Sequence, residues 1–378
     1  MTSHFIQIHT LTSYPAVLLN RDDAGMAKRL PYGGVSRLRV SSQSLKRHWR
    51  VAKDDWSLAS IGVPMAVRSR LTVEREIIGN IDAPADVKLA IQIALAQFLF
   101  GDKNVDPKNP EDTKKRQALL LGRPEIEFLT TLAVEAAAKG DAKAATAFFE
   151  ATFGKGDGKK NLAALKATAQ LSFGLESALF GRMVTSDPSA NVDAAIHVAH
   201  AFTVHEEESE SDYFTVVDDL SGDDAGTAGI FDTELTSGLF YGYVVVDVPA
   251  LIDNLGGDSA LAGKVVEHLV HLIATVTPGA KKGSTAPYGY AEMMLVETGT
   301  AQPRSLAGAF RNPISLSGGA LTPALTALGA QLTALDRSYQ GGERRAALCL
   351  ANCDIPGVNA LVGLSELATF AAAATQAG

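Results

Sequence analysis

Cysteine, long apolar runs and catalytic motifs are all scarce in this chain of 378 residues. The only cysteines, Cys349 and Cys353, are too few for a disulfide framework, and no CxxC pair suggests a structural zinc site. No apolar run approaches the roughly 18 residues of a membrane-spanning helix, and the first residues do not resemble a signal peptide. We therefore expect a cytoplasmic protein that contacts no membrane.

Charge of one sign is missing from two long stretches. Residues 24–53 hold eight basic residues and no acid, where the chain-wide frequency predicts about three acids. Residues 183–263 hold no lysine or arginine, where about seven are expected, and nine acids fall within 206–224. The net charge of -8 argues weakly against nucleic-acid binding, but the basic stretch could supply phosphate contacts. The alternative is a solvated surface whose charges cluster by chance.

Hydrophobic periodicity predicts an α+β fold. In the first strand, apolar Ile6 and Ile8 alternate with polar Gln7 and His9. Without a helical block and an acidic stretch, the order is β-α-β-β-α-β, that of the ferredoxin-like fold shared by RNA-recognition modules. The six predicted elements are strand 5–11, helix 42–53, strand 194–205, strand 239–248, helix 260–276 and strand 288–297.

The remaining segments are predicted as insertions in this fold. Residues 1–59 and 186–378 would form the ferredoxin-like domain, and residues 206–238 an elongated insertion between its second and third strands. Residues 60–185 would form a helical insertion, with a tightly joined second domain as the alternative. Its predicted helices cover residues 85–100, about 112–138, 142–152 and 160–180.

The predicted helix at 42–53 is the strongest candidate for a binding surface. Ser41 and Ser42 at its start offer backbone N–H groups and hydroxyls that suit a phosphate oxygen. Lys46 and Arg50 lie one turn apart and could continue the contact, while Gln43 could reach a sugar or a base edge. The alternative is an exposed basic helix that only packs through its apolar side.

Two further groups of residues could have either a binding or a structural role. The basic turn with Lys281, Lys282 and Ser284 could touch phosphate or cap a strand. Asp22 and Asp23 could serve a metal-dependent nuclease, but no other acid or histidine lies nearby, so a structural use is favoured.

Histidines at 197, 200 and 205 alternate between the two faces of a strand and have no cysteine beside them, which does not favour a metal site. There is also no GxSxG, HExxH or strand-embedded GxGxxG sequence. We therefore predict no catalytic motif and no cofactor.

Seven short strings run in order along most of the chain: LNRDD (19–23), GG (33–34), RVSSQSLKR (39–47), FGRM (180–183), VAH (198–200), FTVVDDL (214–220) and QPRSL (302–306). With these strings the chain resembles the CasC family, the repeated backbone subunit of the type I-E CRISPR surveillance complex, Cascade. One difference is that Val35 and Ser36 follow the two glycines, where a basic residue is expected. This difference concerns only whether that turn contacts RNA.

The resemblance implies a right-hand shape, with a ferredoxin-like palm, helical fingers and a thumb at about 206–238. Several copies would polymerise head to tail along a CRISPR guide RNA, beside other Cascade subunits, and display its bases for pairing with target DNA. Cleavage would belong to a recruited helicase–nuclease, so this chain is not expected to be an enzyme. The alternatives are a metal-dependent endoribonuclease of a related backbone family using Asp22 or Asp23, and a structural filament without RNA.

Residue pattern and resemblance together predict two sets of site residues. Met183 would be an apolar wedge between bases, with core packing as its alternative. The predicted RNA contacts are Asn20, Arg21, Lys28, Arg37, Arg39, Ser41, Ser42, Gln43, Lys46, Arg47, Arg50, Arg182, Met183, Lys281, Lys282 and Ser284. Apolar thumb residues would press on the neighbouring subunit or between guide bases: Tyr213, Phe214, Val216, Val217 and Leu220.

Overall fold

The computed structural model describes residues 4–153, 171–184, 188–216 and 229–376. It mixes helices and strands, which confirms the α+β class. The described strands are β1 (Phe5–Val17), β2 (Arg29–Tyr32), β3 (Val35–Val40), β4 (Ala66–Ser69), β5 (Leu119–Gly122), β6 (Ile196–Val198), β7 (Ala201–Thr203), β8 (Glu208–Val216), β9 (Gly229–Asp247), β10 (Met293–Gly299) and β11 (Arg344–Cys349). The described α-helices are α1 (Ser42–Arg50), α2 (Ala85–Phe100), α3 (Arg123–Ala137), α4 (Ala142–Phe153), α5 (Leu175–Phe180), α6 (Val248–Asn254), α7 (Ser259–Thr275), α8 (Lys282–Thr285), α9 (Leu321–Tyr339) and α10 (Leu364–Ala373).

The chain divides into two compact units. The first contains Met1–Ser60, His197–Val248 and Ala260–Gly378, and the second contains Ile61–Ile196 and Pro249–Ser259. Among the described residues, no helix is long and apolar enough to cross a lipid bilayer.

One antiparallel sheet organises the first unit. Its strand order is β11-β10-β1-β9-β7-β3-β2. Strand β1 pairs with β9 from Phe5↔Asp247 to Val17↔Thr236, which places the N-terminal strand at the centre of the sheet. Of the six predicted elements, the strand predicted at 239–248 differs most at its start, because β9 already begins at Gly229, whereas β10 begins at Met293 instead of residue 288.

Both faces of this sheet are covered. On one face, the sheet and helices α1 and α7 surround a cavity of about 40 Å³. Its lining includes Ile8 of β1, Val244 of β9, Leu45 and Trp49 of α1, and Ile273 of α7. On the other face, sheet residues and α9 form an apolar core that includes Leu11, Tyr241, Leu306, Phe310 and Leu328. Gln7 and His9 are therefore buried, although both side chains are polar.

The acidic insertion forms an antiparallel pair of strands. Strand β8 pairs with the first half of β9, from Glu208↔Ser237 to Val216↔Gly229, and β9 then continues into the sheet. We call the paired residues 208–216 and 229–237 the arm. Its root is fixed to the sheet, because the Thr236 hydroxyl donates to the Val17 carbonyl at 2.8 Å.

The second unit is built around helices α2, α3 and α4. Their buried side chains include Ile91, Leu95, Leu129 and Phe149. Helix α3 begins at Arg123, later than the predicted start near residue 112, because residues 119–122 pair with β4 instead. The last predicted helix, 160–180, lies outside the described residues up to residue 170, and α5 occupies its end.

Candidate nucleic-acid interface

The start of α1 is held by hydrogen bonds within the protein. The Ser41 hydroxyl caps the helix by accepting from the Ser44 N–H at 3.3 Å. The Ser41 N–H donates to Asn20 Oδ1 at 2.9 Å, and the Ser42 N–H donates to His200 Nδ1 at 2.9 Å. Both serines are buried, so these residues, expected to offer unpaired donors, instead shape the helix start.

The solvent side of α1 carries its basic residues. Gln43 and Arg47 are exposed, whereas Lys46 and Arg50 are half-buried. The last turn contains Arg47, His48 and Arg50, and positive charge at a helix C-terminus is favoured by the helix dipole. With no acid in its first turn, α1 presents a positively charged face.

Cations from three segments surround His200. Partial desolvation lowers the pKa of His200, although the residue is exposed, and the positive charges of Arg39, Lys28 and Lys46 lower it further. Its Nδ1 accepts from the Ser42 N–H, so the neutral ring carries its hydrogen on Nε2. The region before β2, strand β3 and helix α1 therefore contribute to one positive surface.

The turn at α8 adds a further lysine to that surface. His48 Nδ1 donates to the Ser44 carbonyl at 2.7 Å, and burial lowers its pKa, with further lowering by Lys282 and Arg47. Lys282 is exposed, and because it lowers the pKa of His48, it lies near α1. Residues 28, 39, 46, 47, 50 and 282 are hereafter called the basic surface.

Lys281 and Ser284 occupy other positions in the same turn. The Lys281 ammonium donates to Thr233 Oγ1 at 2.5 Å and lies 5.3 Å from the ring centroid of Phe214. This lysine therefore contacts the arm. Ser284 is exposed, and its hydroxyl lies 3.4 Å from the Lys281 carbonyl.

Arg37 is buried beneath the sheet surface, unlike its basic neighbours. Its guanidinium donates to the Tyr32, Thr203 and Phe310 carbonyls at 3.2, 3.0 and 3.0 Å, and its exposure is 0%. Predicted as an RNA contact, Arg37 instead fastens three backbone segments together. The Gly33 turn beside it is equally constrained, because a Cβ there would lie 1.7 Å from the Arg311 carbonyl oxygen.

Arg182 is a second buried arginine, in the second unit. Its Nη1 donates to Glu125 Oε2 at 2.5 Å, and its Nε donates to the Ala190 carbonyl at 2.9 Å. Met183, the next residue, is 74% exposed. Arg182 therefore anchors a segment that presents Met183 to solvent, and the core-packing alternative for Met183 does not fit this exposure.

The arm presents aromatic side chains above a charged root. Tyr213 and Phe214 are 64% and 38% exposed. At the root, Arg29 forms ion pairs with Glu207 and Glu234, a structural role that its place in the basic stretch does not indicate. The side chain of Val216 and all of Val217 and Leu220 lie outside the described residues.

The loop at 20–28 uses its acids and amides for its own shape. Asp22 Oδ1 accepts from the Ala24 and Met26 N–H groups at 2.9 and 3.0 Å, which closes a tight turn. Arg21 and Asp23 are exposed. Within the described ranges, no three His, Cys, Asp or Glu side chains are arranged to hold a metal ion.

A pair of exposed aromatic residues near the basic surface was not selected from the sequence as contacts. Tyr288 and Tyr290 are 75% and 69% exposed, and the Lys282 ammonium lies 5.9 Å from the ring centroid of Tyr288. A Pro-Tyr-Gly-Tyr string directly after a basic turn is the only signal that the sequence offers for them.

Comparison with known proteins identifies the family. Residues 6–374 match the family described as CT1975-like protein, and the chain belongs to this family. A chain from a solved structure titled "CRISPR RNA-guided surveillance complex, pre-nicking" is 27% identical, with a TM-score of 0.75 over 98% of this chain and 100% of that one. A chain from a "CRISPR RNA-guided surveillance complex" is 22% identical, with a TM-score of 0.60 over 98% and 99%, and shares the fold. No curated protein sequence matches this chain.

Proposed function

We propose that this chain is a guide-RNA-binding backbone subunit of a CRISPR surveillance complex. The observation that carries the proposal is the likeness, at 27% identity over 98% of this chain and 100% of the other, to a chain of an RNA-guided surveillance complex. The basic surface supplies the physical counterpart, because lysine and arginine side chains neutralise phosphate charge. The resemblance to CasC makes a type I-E Cascade complex the specific assignment.

The palm of the proposed hand is ferredoxin-like. This is supported by the strand order β10-β1-β9-β7, with β7, β9 and β10 following β1 along the chain and every pairing antiparallel. Residues 60–185 would be the fingers, and the thumb at about 206–238 would contain the arm.

Guide phosphates are assigned to the basic surface, together with Gln43 and Arg21, which are both exposed. Contacts with phosphate and sugar carry no sequence information, so one protein can hold a guide of any sequence while base pairing selects the target DNA. Asn20, Ser41 and Ser42 would act indirectly by holding α1 in place. For Arg37 and Arg182 a direct RNA contact is not proposed, because their guanidinium groups are buried.

Repeated copies are proposed to associate head to tail along the guide. Such an interface is heterologous, so one surface must complement a different surface of the next copy. The arm is suited to this, because its exposed Tyr213 and Phe214 lie beside acids that would be attracted to a neighbour's basic residues. Met183 is assigned as the apolar wedge beside the guide bases.

The subunit is proposed to bind RNA without cutting it. The nuclease alternative rests on Asp22 and Asp23, and Asp22 is already engaged in a turn by two backbone N–H groups. End-labelled RNAs of unrelated sequence, incubated with the protein and Mg²⁺, should be bound with similar affinity and recovered intact. Cleaved RNA would contradict the non-enzymatic assignment, and absent binding would contradict the proposed function.

A further inference from the structure

Tyr288 and Tyr290 are large, exposed aromatic side chains with one glycine between them. At 75% and 69% exposure they leave much of their ring surface in water, which is unfavourable unless a partner covers it. Tyr213 and Tyr339 are similarly exposed, but Tyr213 lies in the acidic arm and Tyr339 ends α9. Only the pair at 288 and 290 directly follows a basic turn.

The backbone that carries these tyrosines is held firmly. The Thr277 hydroxyl accepts from the Gly289 N–H at 3.1 Å and donates to the Gly289 carbonyl at 3.0 Å. A Cβ on Gly289 would lie 3.0 Å from the Ser13 carbonyl oxygen and 3.2 Å from the Tyr14 ring. The backbone at Gly289 therefore packs against β1, and a rigid support costs little conformational entropy when a ligand binds the neighbouring rings.

Positive charge accompanies the rings. From residue 278 to residue 291 the charged side chains are Lys281 and Lys282, with no acid. Lys282 lies 5.9 Å from the Tyr288 ring centroid and close enough to His48 of α1 to lower its pKa. The tyrosines thus border the basic surface.

A polyanion that carries flat aromatic groups matches this combination. Single-stranded nucleic acid supplies phosphates for the lysines and bases for the rings, and base–aromatic stacking tolerates any sequence. The acidic arm of another copy could also cover the rings, so association between copies is one of the outcomes that the test below measures.

We propose that Tyr288 and Tyr290 form a stacking platform for an unpaired base of bound RNA, with Lys282 at the adjacent phosphate. This inference rests on the proposed function and adds an aromatic subsite to the phosphate contacts. The platform holds a base by its face and leaves its pairing edge free, which is compatible with a guide that must still read a target.

The test compares two ligands of equal length, a single-stranded RNA and an oligonucleotide with the same backbone but no bases. The double variant Tyr288→Ala/Tyr290→Ala of the full chain should bind the RNA about tenfold or more weakly and the abasic strand unchanged. Tyr288→Phe/Tyr290→Phe should retain RNA affinity because stacking needs the ring and not the hydroxyl. Tyr339→Ala is the matched control, since it removes an equally exposed tyrosine.

Unchanged RNA affinity in the alanine variant, or equal loss for both ligands, would overturn the platform while the proposed function stood. A variant that binds RNA normally but no longer associates with other copies would assign the tyrosines to a protein interface and would also overturn it. Failure of the wild-type protein to bind RNA would overturn the proposed function and the platform together.

Discussion

The backbone N–H of Ser42 donates to Nδ1 of His200 at 2.9 Å, which fastens the first turn of α1 to the residue preceding β7. Nδ1 can accept this bond only while the imidazole is neutral. Partial desolvation and neighbouring cations lower the pKa of the exposed His200, which favours that form. The orientation of the basic helix therefore depends on an uncharged histidine.

Acidification should destabilise the protein below about pH 6.5. Burial is the main reason that the pKa is lowered at five histidines: His9, His48, His200, His205 and His271. Because the unfolded chain then binds protons more readily, the stability present above the unfolded pKa of about 6.5 is lost as the pH falls through the folded values. Urea unfolding at pH 7.5, 6.5 and 5.5 should give a falling free energy of unfolding. A free energy of unfolding that does not change with pH would contradict the neutral-histidine account. In the variant His200→Asn, the amide oxygen can accept from the Ser42 N–H at any pH, so this variant should lose less stability on acidification.

Lys46→Ala and Arg50→Ala should each weaken binding of every RNA sequence alike. Each lost phosphate contact should also reduce the slope of log affinity against log salt by about 0.7. Titrations at several salt concentrations measure both effects, and Arg337→Ala, which removes an exposed charge from α9, is the control. Loss of affinity for one sequence only would remove these residues from the phosphate contacts.

Arg37→Ala should act on stability. Its removal leaves three backbone carbonyls, of Tyr32, Thr203 and Phe310, without this donor, at a cost of about 3 kcal/mol in the free energy of unfolding. Thermal melting measures this loss, while RNA affinity at a temperature where the variant is folded should change little. Normal melting combined with weak RNA binding would return Arg37 to the RNA contacts.

Met183→Glu should weaken RNA binding and leave melting nearly unchanged. The side chain is 74% exposed, so a charge there is hydrated, and surface substitutions usually change stability by less than about 0.5 kcal/mol. Glu125→Gln gives the complementary result, because it removes the buried partner of Arg182 and should lower the melting temperature. A large fall in the melting temperature of Met183→Glu would favour the alternative, in which Met183 packs in the core.

Shortening the arm should separate folding from assembly. Glu234 is buried and accepts from the Ala27 N–H at 2.6 Å, so the arm must be cut beyond it. Replacing residues 213–232 with a short Gly-Ser turn keeps the Asp212↔Thr233 pair and should leave the fold intact. Single-copy RNA binding should persist, whereas association of copies along RNA should fail. Full-length assemblies in sedimentation would overturn the assembly role of the arm.

The central elements of the first unit could be predicted because their periodicity is strong. Strand β1, helix α1 and helix α7 begin within a residue of their predicted starts. Strands β2, β4 and β11 have only four to six residues each and lack clear alternation, so no local pattern marks them. The arm was missed as paired strands because its apolar residues stand side by side, as in Tyr213-Phe214 and Ile230-Phe231, instead of alternating with polar ones.

Burial of single polar residues could not be predicted, because their partners lie far along the chain. His9 donates through Nε2 to Glu297, which is 288 residues away, and Arg304 and Arg345 also bind that carboxylate. Burial opposes the charged Glu297, but hydrogen bonds from Arg304 and His9 hold its pKa well below its usual range. Likewise, the sequence of residues 24–53 does not indicate that Arg37 is buried while Lys46 is half-buried. Arg37 is buried because its guanidinium binds the carbonyls of Thr203 and Phe310, which lie far along the chain.

The most direct test is the number of copies bound to RNAs of increasing length and unrelated sequence, measured by native mass spectrometry. A backbone subunit that holds phosphates and contacts its own neighbours should bind in whole-number steps that grow with RNA length and do not depend on sequence. One copy per RNA at every length, or binding confined to particular sequences, would contradict the proposed role.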